Sequence, residues 1–319
     1  MKTTTLLILL CGAITAQADI TLPKAIDSKM VLQRDREVPV WGWADQGEEV
    51  TVEFAGQVKK AMPYATGKWM LKLDPMPASA ESRTMTVKGK NEIKLEDVLV
   101  GEVWLATGQS NMQLTFRDNN PEEWPVAQMQ KGNRLVRALH VRRVVAGAVM
   151  DDINGRWKDC ADMLANSDSV SSVAFFFAVK LQKEIGIPMA FIDCPWGGMR
   201  IESFIPDEGY KAINVALPVH GKTPDLKRAE AELRAVADDA RVAAEAAAKG
   251  RTVGFSTMYP IYGQAPNSIC NAMISPVAPY ALRGAIWYQG ESNHGQPDYF
   301  QKLQALSAGW SQIFQVKDI

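Results

Sequence analysis

The run Gly101-Glu-Val-Trp-Leu-Ala-Thr-Gly-Gln-Ser-Asn-Met112 carries an apolar segment into a small turn and leaves one hydroxyl, Ser110, where a helix can start. A serine so placed is a nucleophile only if a base takes its proton and donors await the oxyanion; otherwise it caps the helix. A second run, Ile286-Trp-Tyr-Gln-Gly-Glu-Ser-Asn293, delivers an amide, Gln289, and a carboxylate, Glu291, at the carboxyl end of another apolar segment. Two strand ends carrying complementary polar groups outline a site for attack on a carbonyl.

Alternating strands and helices must position these groups. Val98 to Ala106 reads as the first strand of a parallel sheet. Ser171 to Glu184 reads as a helix stopped by Gly186, followed by the buried strand Ile187-Pro-Met-Ala-Phe-Ile-Asp193. Asp298 to Ile313 reads as a further helix. Ahead of this, Glu37–Trp43, Glu49–Phe54, Lys68–Leu73 and Arg83–Lys88 are short alternating runs separated by Gly-containing turns, the spacing of a small β-sandwich. The predicted organisation is therefore a β-sandwich-like region over 19–97 and an α/β region over 98–319. Within the latter, a helical insertion at about 205–262 is expected, because Thr223-Pro224 and Lys249-Gly250 punctuate a long Ala/Glu/Arg helix.

Residues 1–18 read as an export signal: Lys2, an apolar stretch from Leu6 to Ala16, and the small-residue site Ala16-Gln17-Ala18. The stretch is short of the roughly 20 residues that a spanning helix needs, so cleavage and a periplasmic or extracellular destination, without a membrane anchor, are expected. Without that segment 34 basic residues face 36 acidic ones, a side-chain balance of −2 that gives nucleic acid nothing to bind. Cys160, Cys194 and Cys270 lie beside apolar runs and read as buried thiols, with a Cys160–Cys194 bridge as the lesser alternative.

The chain resembles the sialate O-acetylesterase family of SGNH-type (GDSL-like) hydrolases at several separated places. Met30-Val-Leu-Gln33 with Val38-Pro-Val-Trp-Gly-Trp-Ala44 is similar to the family's amino-terminal signature, and Gly108-Gln-Ser-Asn-Met112 to its nucleophile block. Pro195-Trp-Gly-Gly198 resembles the glycine block, Asn271-Ala-Met-Ile274 a linking motif, and Trp287-Tyr-Gln-Gly-Glu-Ser-Asn293 the third block. The resemblance implies an α/β fold with an SGNH-hydrolase-like parallel sheet flanked by helices. It implies Ser110 as nucleophile and as one oxyanion donor through its own N–H. Gly197 or Gly198 would give a second backbone donor, suited to it because no Cβ blocks the acyl group. Gln289 would be the third donor, or a structural amide tying two loops. Glu291 would orient neighbours, contact substrate or join a buried ion pair; Gln109, Asn111 and Asn293 would shape the site. No cofactor or metal is implied. Met199 replaces the Thr common after the paired glycines, and Ile201-Glu-Ser-Phe204 replaces Ile-Glu-Ala-Trp, changes that bear on substrate fit.

The family mechanism also uses a histidine base and its partner in an Asp-x-x-His segment, which this sequence does not contain. Its histidines are His140, in the apolar run Val136–Val145 and expected to be a satisfied core residue, His220, expected to be exposed, and His294, beside the third block and the candidate substitute base. The sequence ends at Ile319 after a helix where another strand is expected, which reads as a shortened chain of low activity. The expected function is thus removal of O-acetyl groups from sialic acid or related sugars, with acetyl-xylan esterase activity or a non-catalytic sugar-binding relic as alternatives. A glycosidase built on Glu102 and Glu291 is disfavoured because both belong to blocks that ester chemistry explains, and scattered histidines disfavour a zinc deacetylase.

Overall fold

The structure, a computed structural model, describes residues 19–115, 118, 122–165, 170–214, 265–317 and 319. The expected signal segment, the helix at 224–249 and His220 lie outside these residues.

Six short strands come first: β1 Val31–Gln33, β2 Val38–Trp43, β3 Val50–Phe54, β4 Gln57–Ala61, β5 Lys68–Leu73 and β6 Ser79–Lys88. Inward residues such as Val52, Trp69 and Val87 are buried in the period-2 alternation of a half-buried strand, whereas β2 is buried on both faces, Val40 and Trp41 alike. Strand β4 has no sequence signature because Gln57, Lys59 and Lys60 are polar and it lies at the sheet's edge, where lysines discourage pairing with a second chain. The turn before it uses Ala55 and Gly56 at positive φ.

Strand β7, Glu92–Gly108, organises the rest. Its first half pairs antiparallel with β6, residues 99–101 pair parallel with β1, and its second half pairs parallel with β10 and β11. The expected strand Val98–Ala106 is therefore the later part of a 17-residue strand that crosses position 98 unbroken. The β-rich and α/β parts share it, and one nine-stranded sheet includes both, with β2 and β5 forming a separate antiparallel pair.

Beyond β7 lie α1 Ser110–Gln113, α2 Glu123–Gln128, β8 Val136–Val141, β9 Gly155–Asp159, α3 Cys160–Ala165, α4 Ser172–Ile185, β10 Met189–Asp193, α5 Asp207–Ala212, β11 Gly284–Tyr288 and α6 Tyr299–Ile313. Helix α4 stops as expected at Gly186, with φ 71° in the left-handed region, and Ser171 is its N-cap, the hydroxyl accepting the Ala174 N–H. Alternation along the parallel strands sorts side chains to two faces. Ala106, Val136, Ala138, Met189 and Phe191 pack with α3 and α4. Val103, Leu105, Leu139, Ala190 and Ile192 pack on the other face, in a core that also holds residues of α5, α6 and the amino-terminal strands.

Among the described residues no helix is long and apolar enough to cross a membrane. Cys160, Cys194 and Cys270 are separate, buried thiols, so the Cys160–Cys194 bridge does not form. Burial pushes the Cys160 and Cys270 thiols up to about 12, and Cys194 higher still.

Candidate active site

Strand order places the site. Strand β7 lies between β10 and β11, and the chain visits β8 and β10 on one side before crossing to β11 on the other. The crevice at the carboxyl end of such a central strand is where open α/β sheets bind ligands. Ser110 stands there, exposed, as the first residue of α1.

The turn that presents it is held by backbone on both sides. Gly108, at φ 142°, faces the Tyr288 carbonyl so closely that a Cβ would overlap it. The Gln109 N–H donates to that carbonyl at 2.9 Å, and the Trp196 N–H donates to the Gly108 carbonyl at 2.9 Å. The side chain of Gln109, buried, accepts the Ser292 N–H at 3.1 Å, while Asn111 donates to Glu291 Oε1 at 2.6 Å. Nucleophile block and third block are thereby joined by two side-chain bonds besides the Gln109–Tyr288 backbone bond. Both Asn111–Glu291 partners are solvent-accessible, so Glu291 is not a member of a buried ion pair.

The glycine block comes in from β10. A Cβ on Gly197 would sit 2.9 Å from Ser110 Oγ and 3.2 Å from Gln113 Oε1, and the Gly197 N–H donates to Gln113 Oε1 at 2.6 Å. Gly198 follows with φ 75°, a backbone state that glycine adopts without strain. Of the two glycines it is Gly197 that lies against the hydroxyl.

Gln289 has its amide nitrogen engaged twice, donating to the Met199 carbonyl at 3.1 Å and to Asn293 Oδ1 at 2.7 Å, while its Oε1 lies 2.8 Å from the Tyr299 hydroxyl. An amide nitrogen has two N–H groups, so in this arrangement Gln289 ties loops, and service as an oxyanion donor requires release of one bond. Asn293 is the junction: its Oδ1 also accepts the Ile201 N–H at 2.9 Å, and its Nδ2 donates to Glu202 Oε2 at 2.9 Å. Glu202 Oε1 in turn meets Lys302 Nζ of α6 at 2.7 Å. Burial raises the Glu202 carboxyl, but the bonds from Lys302 and Asn293 outweigh it and hold the group below its usual range. Burial likewise lowers the Lys302 ammonium, and Glu202 and Asp298 outweigh that, leaving it above its usual value. Both directions describe a firm ion pair.

No histidine among the described residues hydrogen-bonds Ser110. His140 is partly buried with Nδ1 2.8 Å from Asp193 Oδ2, and the other Asp193 oxygen accepts the Ser171 N–H at 3.3 Å. It is a satisfied histidine of the sheet. His294 is exposed, after the turn Glu291–Asn293. Sequence reasoning passed over Gln113, Glu202, Tyr299 and Lys302; the motif Ile201-Glu-Ser-Phe204 drew attention to Glu202 only as a departure from pattern.

No protein-family model matches the chain. The sialate O-acetylesterase of Rattus norvegicus is 30% identical over 308 residues, covering 91% of this chain and 55% of that protein. The human sialate O-acetylesterase is 27% identical over 311 residues, covering 91% and 52%. The chain spans about half the length of these curated relatives. Among solved structures, that of a carbohydrate acetylesterase from Xanthomonas citri superposes with a TM-score of 0.70 at 26% identity, covering 93% of this chain and 58% of that one. Over nine-tenths of its length, then, this chain is similar in sequence to sialate O-acetylesterases and shares the fold of a carbohydrate acetylesterase.

Proposed function

We propose that the chain is a serine carbohydrate esterase, or the nucleophile-bearing part of one, that removes O-acetyl groups from sialic acid or a related acetylated sugar. The observation that carries this reading is the placement of Gly197 against Ser110 Oγ at the sheet's switch point, where the glycine itself adds no side chain beside the hydroxyl. Ser110 Oγ attacks the acetyl carbon, and its proton passes to a base. The negative charge on the carbonyl oxygen is met by backbone N–H groups, that of Ser110 itself, which has no intrahelical acceptor at the first position of a helix, and that of Gly197. The sugar leaves as its alcohol, and water then attacks the acetyl-enzyme to release acetate. Stabilisation of charge that develops only in the transition state is the largest contribution such a site makes.

The base is the open part of this mechanism. The given sequence has no Asp-x-x-His, and within it His294, beside Asn293, is the candidate substitute. With the nucleophile and donors in place and the base weak or absent, turnover falls by several orders of magnitude without vanishing. The test is acetate release from an O-acetylated sialoglycan, and in parallel from an acetylated xylan, by the purified chain and its Ser110→Ala and His294→Ala variants. Release abolished by Ser110→Ala supports the reading, and the ratio of the two substrates assigns the sugar. Release that survives Ser110→Ala rules the mechanism out.

A further inference from the structure

The Gly197 N–H, the donor that this reading aims at the oxyanion, already has an acceptor. It donates to Gln113 Oε1 at 2.6 Å, and the same glycine is flanked by Ser110 Oγ and by that Oε1. Gln113 is the last residue of α1, one turn after Ser110, so its side chain lies beside the nucleophile on the same short helix. Which amide atom faces Gly197 is not ambiguous, since a backbone N–H requires an acceptor and only Oε1 provides one. Among the described residues the Gln113 side chain makes no other hydrogen bond, so a single bond holds it there.

We propose that the Gln113 side-chain carbonyl is a resident occupant of the oxyanion pocket: it mimics the acyl oxygen in the empty enzyme and must be displaced whenever an ester, or the product acetate, binds. The proposal rests on the esterase reading only for the name of the displaced ligand. It follows from chemistry on the page. A strong donor turned toward a partly solvated cleft needs an acceptor, and an amide carbonyl resembles an ester carbonyl in shape and polarity. Since a net hydrogen bond is worth about a factor of three to ten in an equilibrium constant, Gln113 keeps the donor oriented at a small cost in affinity. It thereby acts as a positioning residue that also sets a threshold against weak acceptors.

The experiment is an acetate titration of the isotope-labelled full chain, following the Gly197 backbone amide by NMR, for the unmodified protein, Gln113→Ala and Gln113→Glu. Removing the occupant should strengthen acetate binding at Gly197 about three- to tenfold. Replacing it with a carboxylate, which binds the same N–H more firmly and repels acetate, should weaken it by at least as much. A purely structural Gln113 would give weaker or unchanged binding in both variants, and that result overturns the proposal. In the unmodified protein, which needs no variant to fold, the Gln113 side-chain amide should shift at the same acetate concentrations as the Gly197 N–H. A Gly197 shift without a Gln113 shift, or no Gly197 response at any acetate concentration, also overturns it. Treating the same samples with a p-nitrophenyl phosphonate separates this from the wider reading. Ser110 Oγ displaces p-nitrophenolate at phosphorus, its proton leaving to solvent or base, and intact mass reports the adduct. Opposite acetate shifts without adduct on Ser110 would keep the occupied pocket and remove the esterase assignment.

Discussion

A methyl group on Gly197 would stand 2.9 Å from the Ser110 hydroxyl and 3.2 Å from the Gln113 carbonyl. Something must then shift, and a displacement approaching 1 Å in such a site costs on the order of a hundredfold in rate. Gly197→Ala is therefore expected to lower kcat by about that factor while far-ultraviolet circular dichroism and Tm stay near those of the parent, since Gly197 is only partly buried. Retained kcat would move the oxyanion donor elsewhere. The thiols behave oppositely. Cys160, Cys194 and Cys270 are buried with their pKa values pushed up by burial, so the reactive thiolate is scarce and inaccessible. Peptide mapping after iodoacetamide treatment of the native protein at about pH 8 should find all three unmodified, and modified after unfolding in guanidinium. At this scale the sequence singled out Ser110 and the pair Gly197-Gly198 through blocks that resemble a family's, without choosing between the glycines, and Asn111 was expected to hold its turn locally, whereas it donates to Glu291, 180 positions away. Gln113 was not singled out, because a glutamine after a nucleophile turn has no distinctive type or spacing, and its partner is 84 positions away.

The elements that carry the site are fastened at their ends by polar groups. Strand β11 and helix α6 are joined to the segment 199–202, just after the glycine block, through Gln289, Asn293, Glu202 and Lys302. Glu202 and Lys302 are both nearly inaccessible, and breaking a buried pair by removing one partner typically costs about 3–5 kcal/mol. Lys302→Met should lower stability by about that amount and loosen the third block, whereas breaking an exposed pair such as Lys180–Glu184 should leave stability nearly unchanged. The pH dependence follows from the two directions. Glu202, held below its ordinary value of 4.5, contributes stability that is present above that value and lost as pH falls through its lowered folded value. Lys302, held above 10.5, contributes stability that is present below that value and lost as pH rises through its raised folded value. The Tm difference between the parent and Lys302→Met should thus be flat near neutral pH and shrink in acid below about 4.5; a difference that grows in acid would contradict the pairing. Turn residues made these elements readable in advance, as with Gly186 after α4. The edge strand β4 escaped notice because its stability comes from pairing with β3, which a polar sequence does not advertise.

At the scale of the whole molecule, β7 decides how the parts depend on one another. Composition suggested a break near residue 98, where short alternating strands give way to alternating strands and helices. The backbone crosses that point as one strand, and a single buried cluster runs from Ile20 in the amino-terminal region to Val316 beyond α6. Parts that share a strand and a core should not melt separately. Trp69 tests this, because it is fully buried, lies in β5 within the β-rich region, and belongs to the cluster that also holds Leu105 of β7 and Ile192 of β10. Trp69→Ala removes a large core side chain and is expected to cost about 3–5 kcal/mol. If stability is shared, circular dichroism, near-site tryptophan fluorescence and loss of Ser110 phosphonylation will all move to lower temperature together in one transition. Should phosphonylation persist to the parental temperature while the β-rich region melts early, the shared strand would be a covalent connection without mechanical consequence, and the α/β part would count as an independent unit. The single cooperative outcome is the one that the packing supports, since every residue of β7 from Val98 to Val103, where the two regions meet, is buried.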